Sequence, residues 1–375
     1  MKRLLGLAVF LLAGSALASF PFETDFERGL ANAGFDTVNA PGAADSVFTS
    51  PLAAHRGDAG LRVVDGTSAS TQGTGPSVVV NLGGGRPVYA RFWMRVTSLD
   101  PGTVYIVQLI SSGGSVNSIE DVSLSTPDGT LGSAGADASG AYPSEAHGPV
   151  FPVSGWHLVE MNVFGVGSTS GARQVWLDGA LQVERTKIDW RGLSAFRFNF
   201  GEPWANNRSQ VGTLDFDDLR LSDAPMASRL AWSEQRPGAS GCRAFTLMLV
   251  DSTGSPAPAP YPVEASLGGS AGVTFYADAD CSRETRTTTL NPGSAKALVF
   301  ARATGLGAKT LTAAQVDFLS APLQTSGDGT QPSAVTRLYD IGCSGTGGPE
   351  SFAAWALLAA SALGLRRRAP RVPGS

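Results

Sequence analysis

Short segments in which apolar and polar residues alternate recur along most of the chain. The clearest runs from Val88 to Val96, where every second residue is apolar. A period of two is the signature of a half-buried β-strand, whose side chains point to opposite faces in turn. The other face of this predicted strand carries Tyr89, Arg91, Trp93 and Arg95.

Further segments indicate more strands and a tight turn. Trp156 to Phe164 alternates in the same way, and Val175-Trp176-Leu177 leads into Asp178-Gly179. Aspartate followed by glycine between two apolar runs favours a two-residue β-hairpin. Farther along, three phenylalanines share one predicted face and two polar residues the other: Phe196, Phe198 and Phe200 against Arg197 and Asn199.

The predicted strand from Thr213 to Leu221 changes parity part-way. Its apolar residues occupy even-numbered positions up to Phe216 and odd-numbered positions from Leu219 onward. Such a strand keeps one face toward the core only if an extra residue is inserted between its halves. The pattern therefore predicts a β-bulge at Asp217-Asp218.

The composition favours an all-β protein. The 375 residues include 46 glycines and 23 prolines, only 16% are charged, and no long segment shows helical periodicity. Short strands divided by turn residues at regular spacing are typical of antiparallel sandwiches. About 320 residues lie between the two ends, which is enough for two domains. We expect the boundary near Ala224-Pro225.

The first eighteen residues have the three parts of a secretory signal peptide. Lys2 and Arg3 precede an apolar run from Leu4 to Leu12, and the small residues Ala16-Leu17-Ala18 follow it. The run is too short to span a bilayer. We interpret residues 1–18 as a signal peptide cut after Ala18; a buried N-terminal strand or helix is the alternative.

The C-terminal region also combines an apolar run with positive charge. Cys343 is followed by a glycine-rich spacer, by an uncharged apolar run from Phe352 to Leu365, and by Arg366-Arg367-Arg368. The run is shorter than the roughly 20 residues of a comfortable membrane span, but cytoplasmic arginines could snorkel and hold it as a transient anchor. The alternative is a buried C-terminal helix.

This arrangement over residues 341–375 resembles the C-terminal sorting tails of myxobacterial surface proteins. The resemblance implies that sorting machinery removes the tail and that Cys343 becomes the processed terminus. It also implies an exported protein anchored at the cell surface or outer membrane through its C-terminus.

Removal of both ends would change the charge of the chain. The full chain carries −4, of which residues 1–18 contribute two positive charges and residues 344–375 a net three. The processed chain would therefore carry −9. An acidic exported protein lacks the basic face that nucleic acid requires, so we exclude that class of partner.

The segments YARFWMRV, GWHLVEMNV, QVWLDGAL and LDFDDLRL, in this order, resemble the concanavalin A-like, laminin G-like jelly roll. The opening FETDFERGL and the later GDAGLRVV resemble the first strands of related carbohydrate-binding sandwiches. The resemblance covers residues 19–225 and implies an antiparallel jelly-roll sandwich. That fold hosts lectins, binding modules, hydrolases and lyases, so it does not determine the function.

Residues 228–340 resemble a bacterial immunoglobulin-like module, through VTFYADADC and LNPGSAKALVFARATGLGAKTLTA. Such modules pair a cysteine of an early strand with one in a later loop, which implies a disulfide between Cys242 and Cys281. If Cys343 is the anchor, the same two cysteines remain, and outside the cytoplasm they can oxidise. A bridge that closes a loop of about 40 residues would stabilise the module by roughly 2–4 kcal/mol.

Catalytic motifs are scarce. The chain has no H-E-x-x-H, no P-loop and no Glu-x-Asp-x-x-Glu of the kind that jelly-roll glucanases use. Jelly-roll alginate lyases carry Gln-Ile-His, whereas this chain has Gln108-Leu109-Ile110 without the histidine. We interpret His55, His147 and His157 as loop or surface residues, and we expect no enzymatic activity.

A ligand-binding face is the favoured hypothesis for the jelly-roll domain. Aromatic rings stack on sugars, and arginines pair with carboxylate or sulfate. If the strand at Val88 and the strand that carries Arg197 share a sheet, their polar faces could bind a polysaccharide or envelope glycan, particularly an acidic one. The alternative is that this face packs under a loop or is a convex outer surface. The predicted ligand-binding residues are Tyr89, Arg91, Trp93, Arg95, Arg197, Asn199 and Trp204, the last of which could instead plug the core.

The resemblance to carbohydrate-binding sandwiches also implies a structural Ca²⁺ ion. By position its ligands would be Glu27, Asp217 or Asp218, and carbonyls of the Gly57–Gly60 loop, and hard oxygen ligands are those that Ca²⁺ prefers. The alternative is that the Asp217-Asp218 pair caps exposed backbone N–H groups at a bulge.

We therefore expect an exported, non-enzymatic surface protein that binds a polysaccharide through its jelly-roll domain, with the immunoglobulin-like module as a spacer. Two other functions stay open. One is a divergent polysaccharide lyase or glycoside hydrolase, with Tyr89 or His157 beside Arg91. The other is a structural or adhesion protein with a protein partner, which would need a flat apolar patch.

Overall fold

The computed structural model describes residues 21–66, 74–84, 86–112, 118–126, 129–142, 144–152, 155–205, 211–237 and 241–326. The predicted signal peptide and the predicted anchor at Cys343 lie outside these ranges. Within them, no helix is long and apolar enough to cross a membrane.

Fifteen of the described strands form a large sandwich. Two 3-10 helices, Leu30–Asn32 and Pro51–Ala53, interrupt them. The strands are β1 (Phe22–Thr24), β2 (Thr37–Asn39), β3 (Ser46–Ser50), β4 (Gly60–Asp65), β5 (Ser77–Asn81), β6 (Val88–Leu99), β7 (Gly102–Ser112), β8 (Ser118–Thr126), β9 (Thr130–Ala134), β10 (Ser144–Val150), β11 (His157–Phe164), β12 (Gly171–Leu177), β13 (Ala180–Ile188), β14 (Ser194–Ala205) and β15 (Gly212–Ser222).

These strands make two sheets. Sheet I has the order β13-β12-β11-β6-β15-β4-β3, and β1 also pairs with β15. Sheet II has the order β10-β9-β8-β7-β14-β5-β2. Strand pairs in both sheets are antiparallel, as in β11 with β6 and β14 with β7. The all-β, antiparallel sandwich that the sequence predicts is confirmed.

A cluster of phenylalanine rings joins the two sheets across the core. Phe92 and Phe216 belong to sheet I and Phe200 to sheet II, and none of the three is exposed. The ring of Phe200 lies 4.8 Å from that of Phe92 and 4.6 Å from that of Phe216, between centroids. Burial of each ring contributes about 2–3 kcal/mol, and the aromatic pairs add to this. One face of each sheet is therefore buried in the core between the sheets.

Three local predictions from the sequence are confirmed. The alternating segment from Val88 lies in β6, with its apolar positions buried. Asp178 and Gly179 join β12 to β13 with φ of 50° and 76°, the positive values that a type I′ turn requires. The pairing of β15 with β6 shifts between Asp217 and Arg220, and Asp218 has φ 51°, so the bulge is where the parity change places it.

The shared face of the three phenylalanines was predicted wrongly. Phe198 and Phe200 are buried, but 45% of Phe196 is exposed. The pairing of β14 with β7 shifts between Ala195 and Arg197, so a second bulge turns Phe196 away from the core.

Nine further strands form a small sandwich. Its sheets have the orders β19-β21-β17-β16-β23 and β20-β18-β22-β24, and it has its own apolar core around Phe245 and Leu311. Both sandwiches belong to one compact unit of the chain. The strands are β16 (Arg229–Pro237), β17 (Arg243–Val250), β18 (Val263–Gly269), β19 (Val273–Tyr276), β20 (Thr287–Leu290), β21 (Lys296–Ala303), β22 (Ala308–Ala314), β23 (Leu319–Ser320) and β24 (Leu323–Ser326).

A disulfide joins Cys242 to Cys281, with their Cα atoms 5.8 Å apart. Cys242 immediately precedes β17, and Cys281 lies in the loop after β19. The bridge ties this loop to the start of β17, and the predicted pairing is confirmed.

Candidate functional site

A groove of about 740 Å³ crosses the face of sheet II that points away from the core. Strands β7, β8 and β14 supply most of its floor, and the loop after β9 contributes one wall. Its polar and aromatic lining residues are Asn39, Thr74, Tyr105, Gln108, Ser118, Asp121, Tyr142, Arg197, Asn199 and Trp204.

The middle of the floor is a row of three polar side chains on adjacent strands. Asn199 of β14 pairs directly with Gln108 of β7, and Gln108 pairs with Asp121 of β8. Directly paired residues present their side chains on the same face, and neighbouring strands are about 4.8 Å apart. Two amides and a carboxyl therefore line the groove over about 10 Å.

Aromatic side chains and an arginine flank this row. At one end, Trp204 pairs with Tyr105, and both rings are half-buried. At the other end, Arg197 pairs with Ile110, which in turn pairs with Ser118. Tyr142 stands in the loop beyond β9 with 46% of its surface exposed. The groove thus places rings, amides and one guanidinium along a single face.

Two groove side chains hold polar atoms that no described residue satisfies. Asn199 is only 8% exposed, and its Oδ1 atom has no hydrogen-bond partner among the described residues. The same holds for the buried Nε atom of Arg197. Buried polar atoms are nearly always paired, so an unpaired acceptor and donor in one groove point to a ligand or ordered water.

Asp121 is a buried carboxyl on the groove floor. Burial raises its pKa to about 7, against the hydrogen bonds from Ser118 and Gln108, which lower it. The Oγ atom of Ser118 lies 2.5 Å from the Oδ1 atom of Asp121. Burial also raises the pKa of Glu160 and Asp217 to about 7, so the shift follows from burial, and what distinguishes Asp121 is its place on the groove floor.

The preceding residue, Glu120, points to the other side of β8, into the sandwich. Its Oε2 atom lies 3.2 Å from Nε of Arg173 on sheet I, and Oγ of Ser133 donates to its Oε1 atom at 2.6 Å. Burial raises the pKa of Glu120 to about 8, with Arg173 acting in the opposite direction. This ion pair crosses the core and ties β8 to the opposite sheet.

Most of the groove floor was not predicted from the sequence. Gln108 was noted only for the histidine absent beside it, and Tyr105, Ser118, Asp121 and Tyr142 were not identified. The one local signal was Glu120-Asp121 between Ile119 and Val122, since two adjacent carboxyls in an apolar strand place one on each face.

The predicted ligand-binding face is split between the two sheets, which is a correction to the sequence analysis. Tyr89, Arg91, Trp93 and Arg95 lie on β6 of sheet I, whereas Arg197, Asn199 and Trp204 lie on β14 of sheet II. Because the core separates the inner faces of the sheets, the two groups point away from each other. Only the β14 group lines the groove.

Arg91 is buried where the small sandwich contacts sheet I. Its Nη1 atom donates to the carbonyl of Ala227 at 2.6 Å, and Nη2 donates to that of Asp317. Its guanidinium carbon lies 5.2 Å from the ring centre of Phe318. On the neighbouring strand, Asn162 donates to Oγ of Ser252 at 3.0 Å. Arg91 therefore joins the two sandwiches, and no ligand can reach it.

Trp93 and Arg95 of β6 are also engaged by other residues of the large sandwich. Trp93 is 7% exposed and stacks against His55 at 4.0 Å between ring centres. Arg95 pairs with Asp215 at 2.7 Å. Tyr89 is half-buried, and burial raises its pKa. These contacts are structural.

The residues suggested for lyase or hydrolase chemistry near Arg91 do not form a site. Nδ1 of His157 lies 2.6 Å from Asp178 of the neighbouring turn, and Arg91 is buried. The segment Gly268–Gly272 has the G-x-S-x-G spacing of a nucleophile elbow, which the sequence analysis overlooked. Its Ser270 lies in a turn between two strands and accepts a hydrogen bond from the amide of Thr310, so it lacks the strand-to-helix setting of that motif.

The predicted calcium ligands bind N–H groups instead. Oδ2 of Asp217 accepts from the amides of residues 55 and 56 at 2.8 and 3.2 Å, and Oδ1 accepts from the amide of Asp218. Glu27 accepts from the amides of residues 58 and 59 at 2.9 and 3.2 Å. Asp218 pairs with Nη2 of Arg56 at 3.0 Å.

These three carboxylates fasten the loop of residues 55–59 to β15 and to the chain after β1. No group of three or more His, Cys, Asp or Glu side chains in the described ranges is placed to hold a metal ion. A Ca²⁺ cage needs six to eight oxygen ligands, and the guanidinium on Asp218 is incompatible with one there. The donor set does not fit the ion, and calcium binding stays a prediction from the resemblance.

Comparison with known proteins adds only a likeness of fold. No protein-family model and no curated protein matches the chain. Solved structures that resemble it include an endo-β-1,4-glucuronan lyase from Trichoderma reesei, at 15% identity and a TM-score of 0.40, covering 50% of this chain and 91% of that one. They also include the cellulose-induced protein Cip1, at 17% identity and 0.39, covering 54% and 97%. The alginate lyase Aly36B, as a mutant in complex with alginate trisaccharide, has 13% identity and 0.36, covering 55% and 99%. At these TM-scores the likeness carries no argument about the site.

Substitution of Arg91 should affect stability and leave ligand binding intact. In Arg91→Ala, the carbonyls of Ala227 and Asp317 lose their charged donor, which we expect to cost about 3–5 kcal/mol of unfolding free energy. Arg197→Ala, on the open face, should change it by less than about 0.5 kcal/mol. Denaturant unfolding of both variants measures this. An Arg91→Ala protein of unchanged stability would contradict the assignment of Arg91 to the contact between the sandwiches.

Removal of divalent cations should leave the melting temperature unchanged, because N–H groups occupy the carboxylates of Glu27, Asp217 and Asp218. The measurement is thermal unfolding before and after treatment with a chelator. Asp217→Asn is the companion variant and should be destabilised equally in both conditions, since it loses an acceptor for the 55–59 loop. Chelator-induced destabilisation that added Ca²⁺ reverses would establish the ion.

Proposed function

We propose that this protein is an exported, non-enzymatic surface protein that reversibly binds a polysaccharide, preferably an acidic one, in the groove of sheet II. The unpaired, buried Oδ1 atom of Asn199 beside the unpaired Nε atom of Arg197 is the observation that carries the proposal. Both atoms lie on the floor of one groove.

The chemistry of the groove suits a sugar chain. Rings such as Trp204, Tyr105 and Tyr142 stack on the apolar faces of pyranoses, and they lie along the groove rather than in a closed cavity. The amides of Asn199 and Gln108 can exchange hydrogen bonds with hydroxyls. The guanidinium fork of an arginine matches a carboxylate or sulfate.

The contacts of the small sandwich support its role as a spacer. It docks on sheet I around Arg91, whereas the groove lies on sheet II. Docking therefore leaves the groove open. Export, sorting of the C-terminal tail and attachment through Cys343 belong to the same proposal. Export rests on the three-part pattern of residues 1–18, and the other two rest on the resemblance to sorting tails.

Asp121 favours one alternative, a divergent lyase or hydrolase. A carboxyl with a pKa of about 7 can accept or donate a proton near neutral pH. It is, however, the single carboxyl among the described lining residues, whereas glycosidases use two. Turnover of a uronate polymer, followed as rising ultraviolet absorbance, would favour a lyase. A protein partner would need a flat apolar patch, and this groove is polar.

Binding to a glycan array that includes acidic and neutral polysaccharides tests the proposal with the full exported chain. We expect an acidic glycan to bind, and Trp204→Ala to weaken binding by about tenfold or more through lost stacking. Arg197→Ala should selectively weaken binding of the acidic glycan. Both changes lie on an open face and should leave the melting temperature nearly unchanged.

Arg286→Ala is the matched control, because Arg286 is an exposed arginine of the small sandwich. It should bind glycans as the unmodified protein does. The proposal fails if no glycan binds, or if Trp204→Ala and Arg197→Ala bind as tightly as the control.

The proposed processing of the tail is tested by mass spectrometry of protein released from the cell surface. We expect the mature chain to begin at Ser19 and to end at or near Cys343, with the mass of any attached group at that cysteine. Surface material that retains Arg371 would contradict processing at Cys343.

A further inference from the structure

The groove combines one permanent positive charge with one titratable carboxyl. Among the described lining residues, Arg197 is the one basic residue and Asp121 the one acidic residue. Arginine stays protonated at every physiological pH, whereas a carboxyl can be neutral or negative. The net charge of the groove therefore depends on the protonation of Asp121.

The strand pairing places these two residues close to one bound sugar. Arg197 lies on β14 and Asp121 on β8, with only β7 between them. The two strands are about 10 Å apart, and Arg197 lies two residues along β14 from Asn199, which is in line with Asp121. The backbones of Arg197 and Asp121 are therefore about 12 Å apart, roughly the length of two sugar rings. A carboxylate that Arg197 binds would lie within about 5–10 Å of Asp121, close enough for strong interaction at a partly buried site.

The hydroxyl of Ser118 on β8 stabilises the ionised form of Asp121 only in part. Oγ of Ser118 lies 2.5 Å from Oδ1 of Asp121 and 3.1 Å from the carbonyl of Glu120. The carboxyl oxygen of Asp121 and the carbonyl oxygen of Glu120 are both acceptors, and the hydroxyl of Ser118 has only one proton to donate. The hydroxyl proton is shared between these two acceptors, so Ser118 lowers the pKa of Asp121 less than burial raises it.

The surroundings of Asp121 supply little compensating positive charge. On β7 it meets the amide of Gln108, and on β9 it pairs with Ala134, which has no polar side chain. Behind β8, Arg173 favours the charged form, but its closest carboxylate is Glu120. Burial outweighs these contacts and raises the pKa of Asp121 to about 7.

We propose that Asp121 is a charge switch that makes the groove selective for uronate-containing glycans and releases them as the pH rises. With Asp121 neutral, Arg197 leaves the groove positive and holds the carboxylate of a uronic acid. With Asp121 ionised, its negative charge offsets Arg197 and repels that carboxylate. This inference rests on the proposed function and adds the class of ligand and the condition for release.

The direction of the pH effect follows from the groups involved. Carboxylates of uronic acids and arginine side chains in general are charged between about pH 5.5 and 8.5, so Asp121 is the charged lining residue whose ionisation can change there. Two like charges 5–10 Å apart at a partly exposed site should weaken binding by roughly tenfold. Glu120, with a pKa raised to about 8, titrates behind the strand and is shared by every variant below.

The test is calorimetric titration of the full chain with oligosaccharides of alginate and of polygalacturonate, at intervals from pH 5.5 to 8.5. Cello-oligosaccharides of equal length are the neutral comparison. We expect the dissociation constant for the acidic oligosaccharides to rise about tenfold across this range. In Asp121→Asn, which keeps shape and hydrogen bonding but stays neutral, the rise should be less than twofold.

Ser118→Ala is a second variant, for the case that Asp121→Asn does not fold. Ser118 lowers the pKa of Asp121, so its removal should move the midpoint of the affinity change to higher pH. Circular dichroism and melting temperature establish that each variant is folded.

The outcomes separate this inference from the proposed function. Binding with the same pH dependence in the unmodified protein and in Asp121→Asn, or preference for the neutral oligosaccharides, overturns the charge switch and leaves glycan binding standing. Absence of binding to any oligosaccharide at any pH overturns both.

Discussion

The guanidinium of Arg91 determines which side of the large sandwich stays open. A buried arginine is tolerated only when its N–H groups and its charge are compensated. Here the compensation comes from carbonyls of residues 227 and 317 and from the ring of Phe318 in the small sandwich, and from the carboxylate of Glu160 on the neighbouring strand of sheet I. The small sandwich, docked on sheet I, supplies the two carbonyl acceptors of this guanidinium. Around β6 that sheet has the core on one face and the small sandwich on the other, so the open face of the large sandwich is that of sheet II.

The two sheets carry similar polar residues that differ in their partners. On sheet I, Arg62 and Arg95 both pair with Asp215, each at 2.7 Å. These arginines stabilise the fold because their donors are already used. On sheet II, Arg197 and Asn199 keep buried atoms that no described residue satisfies. Buried atoms without a partner among the described residues also occur on sheet I, at Nε of Arg91 and Nε1 of Trp93, so what distinguishes Arg197 and Asn199 is that their unsatisfied atoms lie in an open groove.

The elements of the fold could be predicted from local patterns, whereas the site could not. Alternation located β6, Asp178-Gly179 located a hairpin, and a parity change located the bulge near Asp217, because each depends on residues adjacent in sequence. Which sheet a strand joins depends on pairing with residues that can lie over a hundred positions away, as β6 does with β15. The polar face of β6 was therefore assigned to a ligand when it serves an interface. The register shift beside Phe196 was not predicted either, because the position of this bulge depends on the pairing of β14 with β7.

The groove floor depends on the core beneath it. Glu120 and Asp121 are adjacent on β8, so they must point to opposite faces. Glu120 crosses the core to Arg173 on sheet I, which holds β8 against the opposite sheet. The same geometry keeps Asp121 nearly fully buried beside Ser118 and Gln108, away from the water that would favour its charged form. A rigid strand with a fixed carboxyl loses little conformational entropy when a ligand binds, so the core ion pair preorganises the surface that the sugar contacts. The pKa of Asp121 thus depends on both sheets of the sandwich. A substitution at Arg173 should change this pKa although Arg173 does not line the groove.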